Sequence, residues 1–202
     1  MAILARLAQA IPVDFLVVGI VASSGLASIL GRRRVAVLLL LLQYLGLILL
    51  LHGRPSLLAA KAVVGLLVAL ILVPRARDPL PTHGMGARVA MSPAFRILGL
   101  AAVGTAVAGL LYRYPLLQLP PAEAWITYGL AGSGLWLVLV SRDPMLLVVG
   151  LLTALNGFDV LHTTLEPGLL VAALSGVGQI LLALAGAYLA AARTARAGEE
   201  AR

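Results

Sequence analysis

The sequence predicts an all-α, polytopic transmembrane bundle of about seven spanning helices, and three observations support this prediction. Of the 202 residues, 61% are hydrophobic and only 11% are charged, which leaves little material for a water-soluble domain. The apolar residues fall in stretches of roughly 18 to 25 residues, the length that crosses a bilayer as a helix. Nearly every arginine lies in the short segments between these stretches. Because lipid cannot hydrogen-bond an exposed backbone, each stretch must satisfy its own amides, as a helix does.

Proline marks the start of several spans, as expected from its preference for the first helical turn. Pro12 opens the first span and Pro167 the seventh, Pro55 and then Ser56 open the third, and Ser92-Pro93 precedes the fourth. The predicted spans are 12–31, 35–52, 56–74, 95–112, 123–141, 144–163 and 167–192.

The arginines predict the orientation of the bundle. Loops that stay in the cytoplasm carry an excess of Lys and Arg, and here one side collects eleven arginines against three on the other. This split places the amino terminus outside and the carboxyl terminus in the cytoplasm, which requires an odd number of spans and so agrees with seven. The eleven are Arg32, Arg33, Arg34, Arg75, Arg77, Arg88, Arg96, Arg142, Arg193, Arg196 and Arg202, and the three are Arg6, Arg54 and Arg113.

The longest connection divides the chain. Residues 75–94 are rich in proline and glycine and show no apolar period, so we predict a cytoplasmic loop. It separates a three-helix membrane half, 1–74, from a four-helix membrane half, 95–192, which a charged cytoplasmic tail, 193–202, follows. An arginine- and alanine-rich chain without a targeting segment favours a prokaryotic plasma membrane.

Several function classes do not fit the composition. The net charge of +7 is confined to loops and ends, without the exposed aromatic residues that stack nucleic-acid bases, so no nucleic-acid partner is expected. The absence of cysteine excludes disulfides, thiolate metal sites, iron–sulfur ligation and a cysteine nucleophile. We find no catalytic motif, and His83 and His162 stand apart from other metal-ligand types. The lipid bilayer is the expected environment of the chain. No catalytic, cofactor-binding or metal-binding residue is expected.

The sixth span concentrates polar residues within the membrane. Thr153, Asn156, Asp159 and Thr163 recur at spacings of three and four, so they share one helix face. A charged side chain at the centre of a span costs roughly 2.5 to 3.5 kcal/mol, so this face should point into protein or a hydrated crevice. We predict a polar or ion path along it.

The remaining polar residues of the predicted path lie in three other spans. Lys61 lies in the third span at a depth similar to that of Asp159, so an ion pair between them is geometrically allowed. Gln43 and Gln179 fall near mid-membrane in the second and seventh spans. Alternatives remain open: the charged pair is purely structural, Lys61 extends outward to the interface, or Asn156 and Gln179 are interhelical hydrogen-bonding residues only.

The carboxyl half carries a resemblance to a known family. Residues 132–144, followed by Gly150 and 155–157, resemble the small three-helix K-type subunit of respiratory complex I, and residues 176–185 resemble its small-residue run. The whole chain is similar to component E of hydrogenase-4 type membrane hydrogenases. Gln43-Tyr44-Leu45 and Ala60-Lys61-Ala62-Val63-Val64 lie where that family has a glutamine and a lysine-containing segment.

This resemblance implies a non-catalytic membrane subunit of a complex-I-like or group 4 hydrogenase-type oxidoreductase. Such a subunit holds no cofactor, bridges antiporter-like subunits and assists coupled proton or sodium translocation. The chain departs from the family where relatives carry mid-membrane carboxylates: those positions are Leu152 and Gln179, or Leu155 and Val177 in the other alignment. Neither leucine nor an amide exchanges a proton in the usable pH range. The alternative is a self-contained small transporter or channel with its path along the sixth helix.

Overall fold

The computed structural model describes residues 12–77, 92–113, 119–166 and 168–200, and all of its regular structure there is helical. Seven of these described helices are long and apolar enough to cross a membrane, which confirms the all-helical class and the number of helices of spanning length. A short 3-10 turn, Leu51–Gly53, joins the second helix to the third. The helices are α1 (Val13–Leu30), α2 (Arg33–Leu50), α3 (Pro55–Ala76), α4 (Pro93–Arg113), α5 (Pro121–Val140), α6 (Pro144–Leu165) and α7 (Leu169–Glu200).

The predicted boundaries agree with the helices to within a few residues, except at the carboxyl end. There α7 runs to Glu200, so most of the predicted tail, 193–202, is a continuation of the last helix. Alanine-rich sequence around 190–192 favours this continuation, because alanine has the highest helix propensity. Four predicted features lie outside the described residues: Arg6, Pro167, Arg202, and the greater part of the 75–94 loop with His83 and Arg88.

The helices form two rows of three. One row contains α1, α2 and α3, the other contains α5, α6 and α7, and the rows face each other with α1 against α5, α2 against α6, and α3 against α7. Arg33 at the start of α2 contacts Asp143 at the start of α6, so these two facing helices run in the same direction. Helix α4 lies at the edge, against α5 and α1, with only Val107 buried among its described residues. The two predicted halves therefore pack against each other through three facing pairs of helices.

Glycines allow α5 and α6 to approach most closely. A Cβ atom on Gly134 would lie 2.6 Å from the carbonyl oxygen of Gly150, and one on Gly157 would lie 2.7 Å from the carbonyl oxygen of Thr127. Both contacts are with backbone atoms, which cannot rotate away. In lipid there is no hydrophobic force between helices, so their association depends on close van der Waals packing. Small residues permit this packing because they let the two backbones approach.

One end of the bundle, which we call the arginine-rich end, is where α1 finishes and α2 begins. Arg33 donates through Nη2 to Asp143 Oδ1 at 2.9 Å and through Nε to Oδ2, and Asp143 caps α6 by accepting from the Met145 amide. The described arginines of the cytoplasmic set lie at this end: Arg32, Arg33, Arg34, Arg75, Arg77, Arg96, Arg142 and Arg193. The positive-inside rule predicts that this end faces the cytoplasm.

Two apolar clusters fill the bundle. The larger, toward the arginine-rich end, includes Leu40, Leu137 and Leu152. The smaller, toward the opposite end, includes Leu47 and Val160. Along α2 and α6 the two clusters are separated by a polar layer that consists of Gln43, Thr153 and Asn156.

Candidate functional site

Lys61 and Asp159 form an ion pair inside the bundle. Helix α3 positions the lysine and α6 the aspartate, and Lys61 Nζ lies 2.5 Å from Asp159 Oδ2. The two side chains are only 8% and 19% exposed, so the lysine remains buried and does not extend outward to the interface. Each charge stabilises the other in surroundings where either alone would be costly. The pair that the sequence analysis judged to be allowed is therefore present.

Two amides complete the surroundings of the lysine. Lys61 Nζ donates to Asn156 Oδ1 at 2.7 Å and to Gln179 Oε1 at 3.4 Å, in addition to Asp159. A lysine ammonium has three protons and no acceptor, so these three oxygens account for its whole hydrogen-bonding capacity. Its charge is thus satisfied by side chains from α6 and α7.

Gln179 connects this pair to two further residues. Its Nε2 donates to Asp159 Oδ2 at 2.7 Å, and its Oε1 accepts from the Tyr44 hydroxyl at 2.8 Å. Ser175 donates to Asp159 Oδ1, and Lys61 Nζ lies 4.8 Å from the centre of the Tyr44 ring. The result is a polar cluster that joins four helices, and it consists of Tyr44, Lys61, Asn156, Asp159, Ser175 and Gln179.

Three of the predicted path residues stand outside these hydrogen bonds. Gln43 and Thr153 are buried, and their side chains find no hydrogen-bond partner among the described residues. Thr163 is half-buried, and its backbone carbonyl accepts from the Arg54 guanidinium. The sequence analysis thus identified four members of the polar cluster. Gln43 and Thr153, which it assigned to the same path, lie instead in the adjoining polar layer.

Tyr44 and Ser175 were not predicted as site residues. Ser175 lies four residues before Gln179, so helical spacing places both on one face, a signal that was available in the sequence. Tyr44 adjoins Gln43, but adjacent residues of a helix point in different directions, so the choice between them required the rotation of α2 about its axis, which the sequence does not give. The structure selects the Tyr44 hydroxyl as the partner of Gln179.

A cavity of about 590 Å³ reaches the polar cluster from the end opposite the arginine-rich end. Its base is formed by Lys61, Asp159 and Gln179. Its walls are mainly aliphatic, and polar side chains line its mouth. The wall residues include Leu47, Leu57, Val64 and Val160, and the mouth residues include Arg54, Glu123, His162 and Thr163.

This arrangement supports acid–base and hydration chemistry. The described residues contain no group of three His, Cys, Asp or Glu side chains placed to hold a metal ion. What the cluster does offer is a buried ammonium and carboxylate in direct contact, beside a volume that is large enough for several water molecules. Such a site can exchange protons with water or respond electrostatically to a charge change nearby.

Seven apolar helices of spanning length, with an ion pair buried among four of them, indicate a multi-pass membrane protein with an intramembrane polar site. No protein-family model, curated protein or solved structure matches the chain.

Proposed function

We propose that the chain is a non-catalytic integral membrane subunit of a complex-I-like or group 4 hydrogenase-type oxidoreductase, in a prokaryotic plasma membrane. In this proposal it bridges antiporter-like subunits and assists coupled translocation of protons or sodium ions. The assignment comes from the resemblance of its short motifs to component E of hydrogenase-4 type enzymes and to the K-type subunit of complex I.

The observation that supports it is the meeting of the motif-bearing segments at one place. Tyr44, Lys61, Asn156 and Gln179 each belong to a different segment of the resemblance, and all four are joined by hydrogen bonds. Lys61 and Gln179 are 118 residues apart in sequence. Residues that only face lipid are not expected to meet at a buried ion pair. The meeting of these four residues therefore favours a shared role in the assembly.

The departures from the family define what this subunit would contribute. Leu152 is fully buried in the larger apolar cluster, and Gln179 is an amide, so neither carries a proton. Lys61 lies six residues into α3, about 9 Å from its start. The proposal therefore assigns the chain an electrostatic role: the Lys61–Asp159 pair responds to charges in neighbouring subunits, while those subunits carry the ions across the membrane.

A second candidate, a self-contained small transporter or channel, is favoured by the cavity that reaches Lys61 and Asp159. The helix arrangement offers it less support. Transporters built from parallel repeats have an axis along the membrane normal, and a two-fold axis of that kind would place α1 opposite α7. Here α1 faces α5 and α3 faces α7, so the rows are related by a shift and not by such a rotation.

The experiment that tests the proposal is purification of the intact assembly. The protein is tagged at its carboxyl terminus, extracted from native membranes in mild detergent, and its stoichiometric partners are identified by mass spectrometry. Antiporter-like subunits together with iron–sulfur or nickel–iron proteins are the expected result. A pure monomer or homo-oligomer would overturn the proposal, and ion flux in liposomes, with Asp159→Asn as the matched control, would then test the transporter.

A further inference from the structure

We infer that the polar layer inside the bundle is hydrated, and that water reaches it through the cavity, from the end opposite the arginine-rich end only. Water would reach the Lys61–Asp159 pair by this route both in a subunit of an assembly and in a protein that acts alone.

Buried polar atoms without partners provide the first observation. Gln43, Thr153 and Asn156 are 0%, 1% and 0% exposed. Both side-chain heteroatoms of Gln43, Oγ1 of Thr153 and Nδ2 of Asn156 have no hydrogen-bond partner among the described residues. Buried donors and acceptors in proteins are almost always satisfied, and where side chains do not satisfy them, ordered water does.

The position of these residues provides the second observation. Gln43 lies on α2 between Leu40, which belongs to the larger apolar cluster, and Leu47, which belongs to the smaller one. On α6, Thr153 and Asn156 lie between the same two clusters. Since α2 faces α6, the unpaired atoms share one level of the bundle. Polar groups gathered at one level supply the two to four partners that a buried water requires.

Asn156 connects this level to the cavity. Its Oδ1 accepts from Lys61, which lines the base of the cavity, while its Nδ2 has no described partner. Asn156 thus binds Lys61 through Oδ1 and leaves Nδ2 for a hydrogen bond to water within the polar layer. Water that enters the cavity meets Lys61 and Asp159 first, and the amide of Asn156 extends the hydrogen-bonded path inward to Thr153 and Gln43.

The apolar cluster toward the arginine-rich end closes the path. Leu40, Leu137 and Leu152 are each at most 1% exposed, and they lie directly beyond the polar layer. Their side chains offer no hydrogen-bonding group, so a water molecule between them would lose its hydrogen bonds. The hydrated region is therefore a blind pocket with a single entrance.

The chain contains no cysteine, so single cysteines can test this access without a background signal. Ala60→Cys and Ala172→Cys place thiols on the cavity wall. Thr153→Cys places one in the polar layer. Ser28→Cys is the matched control, because Ser28 is also 1% exposed but its hydroxyl donates to the carbonyl of Ser24. Only an ionised thiol in contact with water reacts quickly.

The measurement is the rate of thiol modification in right-side-out and inverted vesicles that contain the full-length protein. We expect Ala60→Cys and Ala172→Cys to react with a charged, impermeant methanethiosulfonate from one side of the membrane only. Silver ion, which is much smaller, should modify Thr153→Cys from that same side, at least about ten times faster than Ser28→Cys.

Three results would overturn the inference. Equal reactivity of the cavity thiols from both sides would show an open pore, and the absence of reaction from either side would show a dry cavity. Equal rates for Thr153→Cys and Ser28→Cys would show that the polar layer holds no water. The cavity variants replace alanine at half-buried positions, so they keep the test informative if Thr153→Cys fails to fold.

Discussion

The ammonium of Lys61 lies 2.5 Å from the carboxylate of Asp159, and this contact joins a helix of the first row to a helix of the second. Because burial removes most of the water around both charges, their attraction must offset part of their desolvation cost. The amides of Asn156 and Gln179 and the hydroxyl of Ser175 supply the additional hydrogen bonds that such a site requires.

Gln179 should be replaceable by glutamate only at acidic pH. Gln179 Nε2 donates to Asp159 Oδ2 at 2.7 Å, and a glutamate in its place would leave two carboxylates to share the single ammonium of Lys61, unless a proton lies between them. We expect Gln179→Glu to lower the thermal midpoint at about pH 8 and to recover most of that loss at about pH 5. Gln179→Leu, which cannot take up a proton, should be destabilised to a similar extent at both. A pH-independent loss for Gln179→Glu would contradict the hydrogen-bond assignment.

Gly134 should tolerate no side chain, whereas Gly104 should. A Cβ atom on Gly134 would lie 2.6 Å from the Gly150 carbonyl oxygen, while one on Gly104 would meet nothing within 4 Å. Gly134→Ala must push α5 and α6 apart, at a cost of about 2 kcal/mol or more. Gly104→Ala should be neutral or stabilising by up to about 1 kcal/mol, since alanine favours the helix. Equal thermal midpoints for the two variants would refute the close packing of α5 on α6.

Asp143 should contribute both a helix cap and a charge. It accepts from the Met145 amide and pairs with Arg33, whose side chain is 9% exposed. Asp143→Asn keeps a cap acceptor but removes the charge, whereas Asp143→Ala removes both. We expect the alanine variant to be less stable than the asparagine variant by about 1 kcal/mol, measured by thermal unfolding in detergent. Identical stabilities would mean that the cap contributes nothing.

Gln43 should be replaceable by leucine with little change in stability if its amide is hydrated. A dry, unpaired amide costs about 1 to 3 kcal/mol, so its removal would then stabilise the protein by a comparable amount. A hydrated amide has its hydrogen bonds already, and we expect Gln43→Leu to alter the unfolding free energy by less than about 1 kcal/mol. Leu40→Met, a conservative change in the neighbouring apolar cluster, is a suitable control for altered packing. A large stabilisation by Gln43→Leu would indicate a dry layer.

The sequence was sufficient to predict the seven helices because length and hydropathy alone determine a spanning segment. It also identified Lys61 and Asp159, since a charge within a span requires a partner and their depths matched. The order in which helices face each other was not predictable, because lipid-exposed and protein-facing apolar residues look alike in sequence. For the same reason the sequence did not show that Tyr44, and not Gln43, contacts Gln179. The two residues are adjacent on α2, and the rotation of this helix determines which one faces Gln179.

A double-mutant cycle on Lys61 and Asp159 tests the central claim most directly, namely that these two charges act as one buried unit. The unfolding free energy is measured in membranes or bicelles for Lys61→Ala, Asp159→Ala and the double variant. Each single variant leaves an uncompensated buried charge, so we expect losses of about 3 kcal/mol or more from each and a double variant that loses far less than their sum. Additive losses would contradict the account, because two independent residues, not a coupled pair, would then be responsible for the stability of the site.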